Sequence, residues 1–255
     1  MPLIDIRPTR SPRRRMNMFY LIDTSGSMNS NGCIQSVNAA IPEIIGILRQ
    51  VSYSNKDLCD IYMSCIAFGD KARLLHNVPV LAEDFPWEDL EASGYTNLEA
   101  AFNLLDSQLN GDSVLNSREG HLRPAVILLT DGDPDEGWEN GLRRLRKNPW
   151  FREAYKIAIA IGADASKAVM KKALVDFTES KPGETAGIVS VTQLDRLSEI
   201  IRIVSTSVST IGSRSAETGR QGSVRKQISE SIKKEVDPID GVEIPVISGD
   251  SSFWD

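Results

Sequence analysis

Asp23, Ser25 and Ser27 occupy alternate positions in the run Asp23-Thr24-Ser25-Gly26-Ser27. The first brings a carboxylate and the other two bring neutral hydroxyl oxygens. Gly26 lets the chain turn sharply between them, so that alternate side chains converge on one point. Oxygen donors gathered this way suit a hard divalent cation. Mg²⁺ takes six of them in near-octahedral geometry at about 2.0–2.1 Å, and Mn²⁺ and Ca²⁺ accept the same donors. One tight loop can supply one face of that octahedron. Two other stretches can add to it: Asp131, in Thr130-Asp131-Gly132, and Thr96, in Gly94-Tyr95-Thr96-Asn97. Hydroxyls neutralise little of the ion's charge, so an ion held by these residues stays electron-poor and keeps a position open. The natural ligand for that position is a Glu or Asp carboxylate from another protein. The expected chemistry is a cation bridging two proteins, with Mg²⁺ as the first candidate. Tyr95, beside Thr96, is either a packing residue or part of the contact surface. Asp133 is either a solvated loop charge or a support for the site.

These residues need a frame that brings distant loops together, and the apolar patterning provides one. Met18–Ile22 is a compact apolar run ending at Asp23, and Ala125–Leu129 is another ending at Thr130-Asp131. Leu58–Phe68, Ile157–Ile161 and Ile188–Val191 read as further strands, and Ala72–Val78 as a short antiparallel edge strand. Between them, apolar residues recur at helical spacing. Ile34, Val37, Ile41, Ile44, Ile45, Leu48 and Val51 make one stripe, with a kink expected at Pro42. Leu98, Ala101, Phe102, Leu105 and Leu109 make another. Shorter helices are expected around Trp138–Leu145 and Met170–Phe177, and a long one over Leu194–Val208. All-apolar strands alternating with helices predict an α/β fold: a Rossmann-like, doubly wound, mostly parallel sheet with one antiparallel edge strand and helices on both faces. In such sheets ligands bind at the carboxyl ends of the strands, where strand order reverses. Asp23 and Asp131 are expected there, side by side.

Asp23-x-Ser25-x-Ser27, then Thr96, then Asp131 resembles the metal-ion-dependent adhesion site of the von Willebrand factor A family. The resemblance covers roughly Met16 to Thr210. It implies that all five residues hold the metal, directly or through water, with Gly26 shaping the loop. Gly162-Ala163-Asp164 is also similar to the family's pattern, which places Asp164 near the site. Within the family, Phe19–Met28 and Thr130–Pro134 resemble the soluble bacterial tellurite-resistance (TerY-like) group. That likeness implies a stress-response or defence setting, with a Ser/Thr kinase and a PP2C-type phosphatase as partners.

Other classes fit less well. A haloacid dehalogenase-like phosphatase needs a second Asp two residues after the first as general acid/base, and Ser25 stands there. No phosphate-cradling glycine loop is present. The two histidines, His76 and His121, have no companion motif for a Ser–His–Asp hydrolase. The reading is therefore a binding module and not an enzyme. An alternative is a metal-independent scaffold acting through a phosphorylatable Ser/Thr-rich tail, with Thr206, Ser209, Thr210, Ser213, Ser215, Thr218 and Ser223 as candidate sites.

The chain has 255 residues, 41% of them hydrophobic and 25% charged, enough for one α/β domain with a substantial core. Three regions are expected: a basic arm over 1–15, the domain over 16–211, and a polar tail over 212–255. A net charge of −6 argues against nucleic acid as a partner. Three cysteines without paired spacing read as reduced thiols. No apolar run is long enough for a bilayer. These features lead to the expectation of a cytoplasmic protein.

Overall fold

In the computed structural model, which describes residues 13–54, 59–110, 120–162, 168–181, 187–214 and 221–245, eight strands make one sheet. They are β1 (Arg14–Asp23), β2 (Cys59–Phe68), β3 (Ala72–Leu74), β4 (Val80–Leu81), β5 (Ala125–Thr130), β6 (Tyr155–Ile161), β7 (Ile188–Val191) and β8 (Val242–Glu243). The order across the sheet is β3-β2-β1-β5-β6-β7-β8, with β4 also paired to β2. The five long central strands run parallel. Antiparallel pairs close both edges: β3 and β4 on β2, and β8 on β7. The fold is the mostly parallel, doubly wound sheet that the apolar runs predict. Strand order reverses between β1 and β5, so the crevice at their carboxyl ends is the expected ligand position.

Among the described residues seven α-helices cover the sheet: α1 (Cys33–Ser54), α2 (Leu98–Asn110), α3 (Trp138–Leu145), α4 (Pro149–Glu153), α5 (Ala168–Thr178), α6 (Leu197–Arg214) and α7 (Gln221–Val236). Successive strand residues point to opposite faces, and β1 shows the consequence. Met16, Met18, Tyr20 and Ile22 pack in one core with residues of α1, α6 and α7. Phe19 and Leu21 pack in a second core with residues of α2, α3, α4 and α5. From Met16 onward every residue of β1 is buried, so β1 is the central plank to which both layers are fixed. Tyr20 also donates its hydroxyl to Ser205 Oγ of α6 at 2.9 Å.

α1 continues as one helix through Pro42. Some expectations need correcting. The edge strand expected over Ala72–Val78 ends at Leu74, and the next pairing begins only at Val80. α3 ends at Leu145, and Asn148-Pro149 starts α4: the Asn148 side chain accepts from the backbone N–H of Trp150 and Phe151, and Pro149 sits where a helix needs no N–H.

The largest correction concerns 212–255. Gln221–Val236 is a helix and Val242–Glu243 a strand. Val224, Ile228, Ile232 and Val236 are buried in the α1/α6 core. Burying four aliphatic side chains is worth roughly 6–12 kcal/mol before the entropy of ordering. A helix of 16 residues forms because of that contact, since an isolated one this short is marginal in water. The candidate phosphorylation sites change character too. Ser209 and Ser213 are buried on α6, at 0% and 1% exposure, and Thr206 and Thr210 are half-buried. The basic arm up to position 12, Ser215, Thr218, the side chain of Ser223 and Asp164 lie outside the described residues. Arg13 is described, and pairs with Asp60 at 2.7 Å.

Candidate metal centre

β1 ends at Asp23, whose carboxylate is fully buried. Its Oδ1 accepts the backbone N–H of Ser25 at 2.8 Å, and its Oδ2 accepts the Thr130 hydroxyl at 2.6 Å. The first bond folds the Asp23–Ser27 loop back on itself. The second ties β1 to the last residue of β5. Burial pushes the Asp23 carboxyl up to about 6, against the pull of these hydrogen bonds, and the neighbouring charge of Asp131 adds to the rise. A divalent cation at this point would relieve the cost of that buried charge.

The hydroxyls follow. Ser25 Oγ lies 3.0 Å from Ser27 Oγ, and Ser27 Oγ donates to Asp131 Oδ1 at 2.7 Å. Thr96 enters from the loop before α2. A Cβ on Gly132 would stand 3.4 Å from Ser27 Oγ and 3.5 Å from Thr96 Oγ1. Ser27, Thr96 and the Asp131-Gly132 turn therefore bound one small space that a side chain at 132 would fill. Asp23, Ser25, Thr96 and Asp131 are buried, at 0%, 2%, 8% and 9% exposure, while Gly26 and Ser27 face outward. The donor set is oxygen only, with two carboxylates and three hydroxyls, and fits a hard divalent cation. Among the described residues no group of three or more His, Cys, Asp or Glu side chains could hold a metal, so a cation site here has to draw on hydroxyls.

Four loops hold this arrangement. Gly26 N donates to Gly94 O at 2.9 Å, Ser93 N to Thr24 O at 2.7 Å, and Asn97 N to Gly69 O at 3.0 Å. Asp70, which follows β2, accepts the Tyr95 N–H at Oδ1 at 2.8 Å. Asp135 N donates to Thr96 O at 3.0 Å, so the loop after Asp131 rests on the loop carrying Thr96. Asn97 accepts from Ala100 N at 2.9 Å and starts α2. Asp133 accepts the Met170 N–H at 3.1 Å. It is thereby engaged at the start of α5, which sets its role as a support for the loop. Tyr95 is 74% exposed.

The reading from sequence missed two residues here, Thr130 and Asp70. A hydroxyl closing an apolar strand next to an Asp is a signal that could have pointed to Thr130. Asp70 carries no such signal, because its partner is a backbone N–H far along the chain. Two tryptophans are packing residues: Trp138 is buried beneath Lys172, and Trp87 packs against the α1 core. The histidines are away from Ser25 and Ser27. His76 is bonded to Pro86 O, and His121 pairs with Arg15 at the opposite end of β1.

No family model and no curated protein matches the chain. Solved structures do. The von Willebrand factor type A protein from Catenulispora acidiphila superposes with a TM-score of 0.54 at 17% identity over 77% of this chain and 43% of that one. Proximal thread matrix protein 1 from the mussel byssus, in a structure with a zinc-occupied MIDAS motif, gives 0.52 at 19% over 79% and 47%. The PilB minor pilin from Streptococcus sanguinis gives 0.54 at 14% over 81% and 64%. In each comparison the chain covers less than two thirds of the other protein. The fold is that of von Willebrand factor A domains. No helix among the described residues is long and apolar enough to cross a membrane.

Proposed function

We propose that the chain is a protein-interaction module that binds its partner through a divalent cation held by Asp23, Ser25, Ser27, Thr96 and Asp131. The observation carrying this reading is the linked chain of oxygens from Ser25 to Ser27 to Asp131, 3.0 and 2.7 Å long. It sits where strand order reverses, beside the space over Gly132. The bound ion supplies a Lewis-acidic position open to a carboxylate. The residues do the rest: Asp23 and Thr130 fix the loop, the serines and Thr96 present neutral oxygens, and Asp131 joins the two strand ends. A fold neighbour with zinc at its own such motif supports a divalent cation as the ligand class. Mg²⁺ is the proposed ion, because oxygen donors without thiolate or imidazole favour hard cations.

The partner's contribution is proposed to be a Glu or Asp side chain. The wider setting, bacterial stress or tellurite resistance with a Ser/Thr kinase and a PP2C-type phosphatase, rests on the likeness of Phe19–Met28 and Thr130–Pro134 alone. An interaction role without catalysis follows from the same site, in which Ser25 stands where a phosphatase of similar fold needs its acid. Calorimetric titration with Mg²⁺ and Mn²⁺ tests the proposal. Saturable 1:1 binding that disappears in Asp131→Ala supports it. Equal binding by the wild type and that variant, or none by either, refutes it.

The alternative in which a phosphorylated tail does the binding loses support from the burial of Ser209 and Ser213 on α6. Asp240 and Glu243, acidic residues beside and within β8, lie by the far edge of the sheet. β8 is three strands from β5, roughly 14 Å at the usual strand spacing.

A further inference from the structure

The four loops around the metal centre are lopsided in charge. Residues 24–32 carry no charged side chain, and the stretches 69–71, 91–97 and 131–137 carry Asp70, Glu91, Asp133, Asp135 and Glu136 outside the site, against Lys71 alone. Asp70, Glu91, Asp135 and Glu136 are exposed. Direct bonds place them beside the site: Asp70 holds Tyr95 N, Asp135 N holds Thr96 O, and Ala92, next to Glu91, accepts from Asn29 at 2.7 Å. A divalent cation offsets Asp23 and Asp131 but leaves this rim negative. The rim charges surround one small site, so salt screens them only in part at a Debye length of about 8 Å. A carboxylate approaching the ion from an acidic or neutral surface meets repulsion from the rim.

A second observation concerns apolar surface. Four large apolar side chains are exposed among the described residues, and two of them border the site. Tyr95, at 74% exposure, precedes Thr96. Val169, at 49%, precedes Met170, whose N–H is held by Asp133. The Tyr95 backbone N–H is held by Asp70 Oδ1 at 2.8 Å, so the exposed Tyr95 side chain and the exposed Asp70 carboxylate are carried by neighbouring loops. An aromatic face beside a carboxylate is a receptor for an arginine or lysine, whose stem lies on the ring while its charge meets the acid.

From these two observations we infer that the site selects a polypeptide segment in which the metal-binding Glu or Asp is flanked by Lys or Arg, with one basic side chain seated on Tyr95 and Asp70. The inference rests on the metal-bridging reading above and names the partner's chemistry. The flanking charges set the on-rate and the choice of partner, while the ion holds the carboxylate.

Fluorescence anisotropy with four short labelled peptides, in Mg²⁺ or in chelator, tests it. Three carry one Glu, in a Ser/Gly, a Lys/Arg or an Asp-rich background, and the fourth has the Lys/Arg background without Glu. In Mg²⁺ the Glu peptide with basic flanks is expected to bind roughly tenfold tighter than the Ser/Gly one, the sum of two or three exposed charge pairs. That advantage shrinks with added salt and in the double variant Asp135→Asn/Glu136→Gln. Equal or better binding of the neutral or acidic Glu peptide overturns the inference while leaving the metal bridge standing. So does equal binding by the basic peptide without Glu. If no peptide responds to chelator, the metal-bridging reading falls and this inference falls with it.

Discussion

The Ser27 hydroxyl donates to Asp131 Oδ1 at 2.7 Å, joining the ends of β1 and β5 across 104 residues of chain. Removing it separates folding from binding. Ser27→Ala deletes two part-buried hydrogen bonds, to Ser25 and to Asp131, which costs about 1–2 kcal/mol of stability. It also deletes one of the three hydroxyl oxygens proposed for the ion. Urea denaturation should show a small loss, and titration with Mg²⁺ should show little or no binding. A large loss of stability with retained metal affinity would make the hydroxyl a structural group.

Asp23 predicts a pH signature with opposite signs with and without metal. Its folded pKa lies near 6, above its ordinary value of 3.8, so the folded protein holds this proton more tightly than the unfolded chain. Without metal, its contribution to stability is full below about pH 4 and is lost as pH rises through 6. The ion needs the carboxylate, so metal affinity runs the other way and weakens as pH falls below 6. Denaturation in chelator and metal titration, each from pH 4.5 to 7.5, measure the two trends. A metal affinity that stays flat down to pH 5 would remove Asp23 from the site.

Gly94 has a φ of +80°, and a Cβ there would stand 2.5 Å from Asp70 Oδ1. Gly94→Ala should cost about 1–3 kcal/mol in backbone strain. It should also displace Asp70, release Tyr95 N and shift Thr96. Gly120→Ala is the control: φ there is +87°, but nothing lies within 4 Å of the added methyl, and it stands at the other end of the sheet. Both variants should lose stability, and only the first should lose metal affinity. Equal metal binding in the two would sever Thr96 from the site.

The α7 helix predicts the reverse pattern. Ile228→Ala removes a side chain at 1% exposure and should cost roughly 2–4 kcal/mol through the lost contacts and the cavity left behind. Metal titration at a temperature where the variant is folded should be unchanged. A loss of stability under 0.5 kcal/mol, read as about zero in this class of substitution, would return 221–236 to the status of a tail.

How legible each part was from sequence follows from its physics. The five central strands are buried on both faces, so they read as continuous apolar runs, and their ends mark the site without further information. α7 is different. Its buried residues recur once every four positions, at Val224, Ile228, Ile232 and Val236, and the rest of the helix is polar or charged. One residue per turn makes a stripe too narrow to stand out, because the helix lies on α6 and not in the middle of the core. β8 is two residues long, and its pairing depends on β7 being available, which no local pattern encodes. At the site, Asp23, Ser25 and Ser27 were readable because one tight loop carries all three, and Thr96 and Asp131 because each follows or precedes a clear element. Asp70 and Thr130 act by supporting others across the sheet, so their roles exist only once the loops are brought together.

One cation is proposed to sit among Asp23, Ser25, Ser27, Thr96 and Asp131. The most direct measurement is anomalous diffraction from crystals grown with Mn²⁺. A single strong peak is expected within coordination distance, about 2.0–2.5 Å, of the Ser25 and Ser27 hydroxyl oxygens, over the Gly132 backbone. Saturating Mn²⁺ that leaves this position without a peak, or a peak only at another place on the molecule, would contradict it.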